Sequence, residues 1–293
     1  MIKGCCVAIV TPFEKGRENI DFGLLKRHTQ FLVDSGVDAI LACGTTGESA
    51  TLSMEENIAI TQTILDTCNK KIPVFGGAGA NDTRKSIKLV EELTKIGVDG
   101  FVVVTPYYNK TTQNGLITHY TQIADSTELP IMLYNVPGRT GLNMLPKTVY
   151  ELSKVKNIAG VKEASGDISQ ITEIAALCGD DFELCCGNDD QILPFLALGG
   201  KSVVSVAANI IPKDVTELIN SFLDGDIAKS RKLQLGMINL VKALFCETSP
   251  MPVKEALSAM GFSSRRCRAP LFGMEDHNKK FLLEELKNYG LVK

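Results

Sequence analysis

Eight short runs rich in β-branched and other apolar residues recur along this chain, alternating with longer stretches of helical period. The runs are 5–10, 39–42, 73–75, 101–104, 131–134, 158–162, 183–186 and 202–206. Between them lie amphipathic stretches such as 22–33, 58–65, 87–96, 116–124, 148–152, 171–177, 191–198 and 215–223. Strand–helix units in unbroken series predict an α/β fold with parallel strands closed into a (β/α)8 TIM barrel. A faint repeat agrees: Gly36-Val37-Asp38-Ala39 and Gly97-Val98-Asp99-Gly100 enter the second and fourth strands alike. Asp21 is placed to cap the first helix, and Ser53 with Glu56 forms a capping box for the second. The competing architecture is an open doubly wound sheet, but no G-x-G-x-x-G joins the first strand to its helix. Gly76-Gly77-Ala78-Gly79 comes too late for that motif and reads as a tight barrel loop.

After Gly225-Asp226 the strand rhythm stops. The stretches 227–245, 253–260 and 276–289 read as helices, joined by loops that contain Pro250, Pro252 and Pro270. The expected organisation is a catalytic barrel over 1–225 and a helical region over 226–293 packed on it. No low-complexity segment or flexible linker appears between them.

Composition narrows the function classes. With 44% hydrophobic and 22% charged residues, the 293-residue chain can bury a large core. A net charge of -3 gives no general attraction to nucleic acid or anionic membrane. The basic cluster Arg265, Arg266 and Arg268 is short, lacks interleaved aromatics, and reads as solvated or subunit-facing surface. Nine cysteines, with no C-x-x-C spacing, form neither a disulfide framework nor a zinc site. Several lie in strand-like runs as small hydrophobes, and the cytoplasm is the expected compartment. The apolar run 5–10 is cut by Thr11-Pro12, too short for a signal peptide, and no run approaches a membrane span of about 18 residues. The scattered His28, His119 and His277 suggest no metal. Asp189-Asp190, the best acid pair, reads as a cap for the next helix.

The chemistry concentrates where a barrel keeps it, at the carboxyl ends of the strands. The sixth run ends Gly160-Val161-Lys162-Glu163 before a Ser165-Gly166-Asp167 turn. Alternation puts Ile158, Gly160 and Lys162 on one face, with Gly160 leaving a hollow for the lysine stem. The fifth run ends Tyr134-Asn135, so Tyr134 and Lys162 are neighbours at one rim. An amine and a phenol without a metal set suggest carbonyl chemistry through a Schiff base. A free lysine is neutral only about once in 2,500 at pH 7, and burial in a barrel mouth disfavours the ammonium. A protonated phenol suits donation or relay of a proton. Thr45 and Thr46, in a glycine-flanked turn, offer hydroxyls and N–H groups to a small carboxylate, or serve the turn alone. Arg139 offers a two-pronged grip on a second carboxylate, or an exposed ion pair. Tyr107 and Tyr108, after the fourth run, serve the site or pack under a loop.

Three stretches carry a resemblance: Gly44-Thr45-Thr46-Gly47-Glu48, Tyr134 through Gly141, and Gly160-Val161-Lys162-Glu163-Ala164. Together they resemble the dihydrodipicolinate synthase family of pyruvate-dependent class I aldolases, within the superfamily that includes N-acetylneuraminate lyase. The likeness runs from Ala8-Ile9-Val10-Thr11-Pro12-Phe13 through the helical tail. It implies that Lys162 forms the Schiff base with pyruvate, with Tyr134 as general acid/base and Thr45 and Tyr108 completing the proton relay. It implies that Tyr108 enters from a neighbouring subunit, so a dimer is the smallest competent unit and a tetramer, as a dimer of dimers, the expected assembly. Thr46 would hold the pyruvate carboxylate, main-chain groups of Gly187 and Val204 would line the pocket, and Arg139 would grip aspartate 4-semialdehyde. No cofactor is implied. Sugar-acid lyases of the superfamily, the alternative, generally lack an arginine at this position.

Relatives inhibited by L-lysine commonly place a histidine and a glutamate in an interface pocket. Asn57 and Lys85 stand at those places here, and a cationic Lys85 repels lysine's ammonium groups, so feedback inhibition is expected to be weak or absent.

Overall fold

The computed structural model describes residues 2–16, 19–262 and 264–293. Eight parallel strands close into a barrel in sequence order. They are β1 (Gly4–Ala8), β2 (Ala39–Ala42), β3 (Val74–Gly77), β4 (Gly100–Val104), β5 (Ile131–Asn135), β6 (Ile158–Glu163), β7 (Glu183–Cys186) and β8 (Ser202–Ser205). The helices outside are α1 (Phe22–Asp34), α2 (Met54–Cys68), α3 (Thr83–Ile96), α4 (Gln113–Ala124), α5 (Pro137–Thr140), α6 (Pro146–Ser153), α7 (Ile168–Cys178), α8 (Ile192–Ala197) and α9 (Pro212–Leu223). Four more follow: α10 (Ile227–Gly236), α11 (Ile238–Leu244), α12 (Met251–Ala259) and α13 (Asp276–Asn288).

Alternation of side chains produces two cores. Ile2, Cys6, Ala8, Leu41, Phe75, Val102, Met132, Cys185 and Val204 fill the barrel interior. Cys5, Val7, Ile40, Val103, Leu133, Val161, Cys186 and Val203 point outward under the helices. Each adjacent cysteine pair is thus split between the two cores, and neither pair forms a disulfide. Burial pushes the thiols up, Cys185 to about 11 and Cys43 to about 12, which suits packing rather than nucleophilic chemistry.

The internal repeat has a structural meaning. Asp38 accepts the N–H of Cys5 at 2.7 Å while its own N–H donates to the Cys5 carbonyl at 2.9 Å. Asp99 does the same at Val74, with 2.8 and 2.9 Å. Each copy of the tetrapeptide ends a helix and welds the start of its strand to the strand before. Asp21 accepts the Leu24 N–H at 2.9 Å, and Ser53 and Glu56 close a reciprocal capping box.

Several expectations need correction. The stretch 227–245 is not one helix: the α-helical pattern breaks between Gly236 and Ile238. Gly76 and Gly77 belong to β3, where Gly76 pairs with Ala42 and Phe101, rather than to a loop. On β6, Ile158 does not share a face with Lys162. The register slips between Ile131 and Met132, whose partners are Ile158 and Gly160. That bulge lets Ile158 face the outer core while Lys162 faces inward, a reversal that simple alternation across 158–162 excludes.

Candidate active site

Tyr134 and Lys162 are directly paired across β5 and β6. Lys162 Nζ lies 4.0 Å from the centroid of the Tyr134 ring, and both residues are buried at the carboxyl end of the barrel. The space expected as a hollow beside Gly160 is taken up by β7. A Cβ there would meet the Glu183 carbonyl oxygen at 2.5 Å, so the glycine is required for close approach of β6 to β7. Gly187 is similar: its Cβ would meet Ala164 at 2.6 Å, and its N–H donates to the Glu163 carbonyl at 2.9 Å. A ligand is therefore left only the Gly187 carbonyl. Val204 faces the interior opposite Cys6, within reach of the Cys185 thiol through its main chain.

Behind the reacting pair stands a polar brace on the outer face. Glu163, fully buried, accepts from Asn135 Nδ2 at 2.8 Å, the Ser165 N–H at 2.6 Å and Gln170 Nε2 at 3.2 Å. Asn135 Nδ2 also donates to Asn143 Oδ1 at 2.8 Å. Burial raises the Glu163 carboxyl above its ordinary range, and the three donors oppose that shift. The brace joins the residues that follow Tyr134 and Lys162, and so sets how far apart those two stand.

At the same end of the barrel is a cavity of about 280 Å³ whose walls include Thr45, Tyr107, Val136, Arg139, Ser249 and Leu271 but neither Tyr134 nor Lys162. Val104, another wall residue, pairs with Tyr134 across β4 and β5. Thr46 is buried beside half-buried Thr45 in a turn closed by Gly47 N–H to Gly44 and Glu48 N–H to Thr45. Arg139, exposed at the rim on α5, donates to the Ser249 carbonyl at 3.2 Å. Tyr108 stands apart: it is 89% exposed, with φ 70, and does not line the cavity of its own chain. A non-glycine residue held in the left-handed region marks an imposed conformation.

Asp189 does not cap α8. It is buried and accepts from Ser205 Oγ at 2.5 Å and from the N–H groups of Val206 and Ala207 at 3.0 Å each, tying the end of β7 to the loop after β8. Arg268 is not solvated surface either. Its guanidinium binds Glu56 and the Thr51 carbonyl, and its N–H donates to Glu48 at 2.9 Å. Arg265 is exposed as expected. His28 Nε2 bonds Asn209 Oδ1 at 3.1 Å and His119 Nδ1 bonds Thr83 Oγ1 at 2.9 Å, so both are core histidines held through one ring nitrogen, while buried His28 Nδ1 and His119 Nε2 have no partner among the described residues. Among the described residues no cluster of three or more His, Cys, Asp or Glu could hold a metal, and no helix is long and apolar enough to cross a membrane.

A second cavity, of about 660 Å³, lies on the far side of Tyr107 and includes Ser49, Asn57, Arg84, Lys85 and Lys88. Three cations share its wall, and the buried Asn57 Oδ1 has no hydrogen-bond partner among the described residues. The wall residues from 248–271 escaped sequence reasoning, because contacts between a tail and a barrel rim leave no periodic trace. The signals available were the prolines around Ser249 and a lysine, Lys254, inside an apolar helix.

Comparison with known proteins agrees on one family. A model of the dihydrodipicolinate synthetase family matches residues 1–289. The chain is 48% identical over 289 residues to 4-hydroxy-tetrahydrodipicolinate synthase of Acetivibrio thermocellus, covering 99% of this chain and 98% of the other. It is 47% identical over 293 residues to 4-hydroxy-tetrahydrodipicolinate synthase 1 of Clostridium acetobutylicum, covering 100% and 99%. The crystal structure of dihydrodipicolinate synthase from Thermotoga maritima superposes with a TM-score of 0.97 at 42% identity, covering 100% of both chains.

Proposed function

Because the chain belongs to the dihydrodipicolinate synthetase family and has the function of a 4-hydroxy-tetrahydrodipicolinate synthase, we propose that it works through a Schiff base on Lys162. The substrates are pyruvate and L-aspartate 4-semialdehyde. Lys162 Nζ attacks the pyruvate carbonyl and water leaves, giving an imine. Loss of a methyl proton gives the enamine, whose carbon attacks the aldehyde and forms the new C–C bond. The amine of the second substrate then attacks the imine carbon, closes the ring and releases Lys162. Tyr134 donates and recovers protons through Thr45 and Tyr108. Thr46 and main-chain groups of Gly187 and Val204 hold pyruvate, while Arg139 binds the carboxylate of the semialdehyde. This places the chain at the entry to diaminopimelate and lysine biosynthesis.

The observation that carries this reading is the buried Lys162 amine 4.0 Å from the centroid of the Tyr134 ring, at the end of the barrel where Thr45 and Arg139 border a cavity. The exposure of Tyr108 supports its serving a neighbouring copy, in a homodimer at least and a cytoplasmic homotetramer by expectation. Residues 226–293 act in the same catalytic unit, since Ser249 and Leu271 border the cavity. Borohydride added with pyruvate is expected to fix a three-carbon unit on Lys162. Turnover is expected with aspartate semialdehyde and not with N-acetylmannosamine, which a sugar-acid aldolase would use. Absence of the adduct would refute the Schiff base, and turnover of the sugar alone would refute the substrate. With Arg84, Lys85 and Lys88 around it, the second cavity is expected to leave activity unchanged at sub-millimolar L-lysine.

A further inference from the structure

Glu48 ends the turn that carries Thr45 and Thr46, and its backbone is forced into the left-handed region at φ 59. A residue with a Cβ adopts that conformation when its surroundings over-determine it. The surroundings here are unusual. The Glu48 carboxylate is buried and bound by the ammonium of Lys254, whose side chain is 0% exposed on α12. Its second oxygen accepts the Arg268 N–H at 2.9 Å. Lys254 Nζ also donates to the Arg266 carbonyl at 2.7 Å and sits 4.4 Å from the Phe13 ring centroid, with the Arg268 guanidinium 4.6 Å from the same centroid. From the opposite side Thr11 Oγ1 donates to the Gly47 carbonyl at 2.7 Å. Desolvating two charges offsets most of their attraction, so a buried pair is a poor way to gain stability. It is a good way to fix direction, because each ion accepts only a few partner geometries.

We propose that the Lys254–Glu48 pair is a positioning element for catalysis: it locks the turn that presents Thr45 and Thr46, so that the C-terminal helices set the geometry of the pyruvate site. This rests on the roles given above to Thr45 and Thr46. Lys254 does not border the cavity, and Glu48, which does, is given no contact with substrate in that scheme. The effect runs through the backbone of Gly47, one residue from Thr46.

Lys254→Met fills the space without charge and leaves Glu48 buried and unpaired. Glu48→Gln with Lys254→Met removes both ions and the unpaired charge with them. In both variants kcat is expected to fall about tenfold and KM for pyruvate to rise about tenfold, as a sub-ångström displacement of holding groups would produce. KM for aspartate semialdehyde, gripped by Arg139 on α5, is expected to stay within about twofold. A purely structural pair would lower the folded fraction and so kcat, with both KM values unmoved. That pattern, or unchanged kinetics in either variant, overturns the proposal. If neither variant folds, the pair serves folding and the assignment also falls. Wild-type protein without pyruvate turnover would instead refute the functional reading, independently of this pair.

Discussion

Tyr134 presents two things to Lys162: the face of its ring, with its centroid 4.0 Å from Nζ, and a phenol hydroxyl. Phenylalanine keeps the first and deletes the second. Tyr134→Phe is therefore expected to lower kcat by about 10²–10⁴-fold while the borohydride adduct on Lys162 still forms with pyruvate. A variant whose kcat stays within about threefold of wild type would remove Tyr134 from the proton path. The same logic explains why thiols do not compete with the amine. Cys6 and Cys185 face the interior close to Lys162, but burial raises both, Cys185 to about 11, so they remain protonated.

At the scale of elements, the bulge in β6 and the brace behind it decide where the lysine points. The extra residue at Ala159 turns Lys162 inward, and Glu163, bonded to Asn135 and Gln170, pins β6 to β5 and α7. Gly160 holds the other edge of the strand against β7. Gly160→Ala would drive a methyl into the Glu183 carbonyl at 2.5 Å, a backbone atom that moves only with its strand. The expected loss is about 1–3 kcal/mol, read by denaturant unfolding, with a fall in kcat as Lys162 shifts. Stability and kcat equal to wild type would mean that β6 and β7 can separate freely, against the packing described.

For the whole molecule, two buried histidines give a pH signature. Burial lowers both His28 and His119 from the ordinary 6.5 to about 4. Between those values the unfolded chain binds protons that the folded chain refuses. Stability is therefore full above about 6.5 and lost as pH falls towards 4, by up to about 3 kcal/mol for each histidine. Glu163 and Asp189, raised by burial, act in the opposite direction, so the histidine contribution is isolated by comparison with a His28→Gln, His119→Gln variant. Between pH 6.5 and 4 its melting temperature is expected to fall less, or rise more, than that of wild type; equal slopes would refute the assignment. Assembly makes a further expectation. If Tyr108 serves the neighbouring site, Tyr108→Phe and Lys162→Ala subunits, each nearly inactive alone, should regain about a quarter of wild-type activity when mixed and reassembled, since half the dimers are mixed and each carries one intact site. No recovery would mean that Tyr108 works within its own chain, or not at all.

The barrel was legible in the order of its residues because strand and helix periods are local properties. So were the caps at Asp21 and Ser53, and the adjacency of Tyr134 and Lys162, which follows from two neighbouring parallel strands ending together. Period and adjacency do not reach across the chain, and there the reading failed. The bulge that separates Ile158 from Lys162, the burial of Arg268 against Glu56, and the meeting of Glu48 with Lys254 join residues whose local sequence is unremarkable. Such contacts are chosen by which surfaces meet when the ring of strands closes and the last helices fold back over its mouth. Local periodicity supplied the frame and the reacting pair; closure in three dimensions decided what holds them in place.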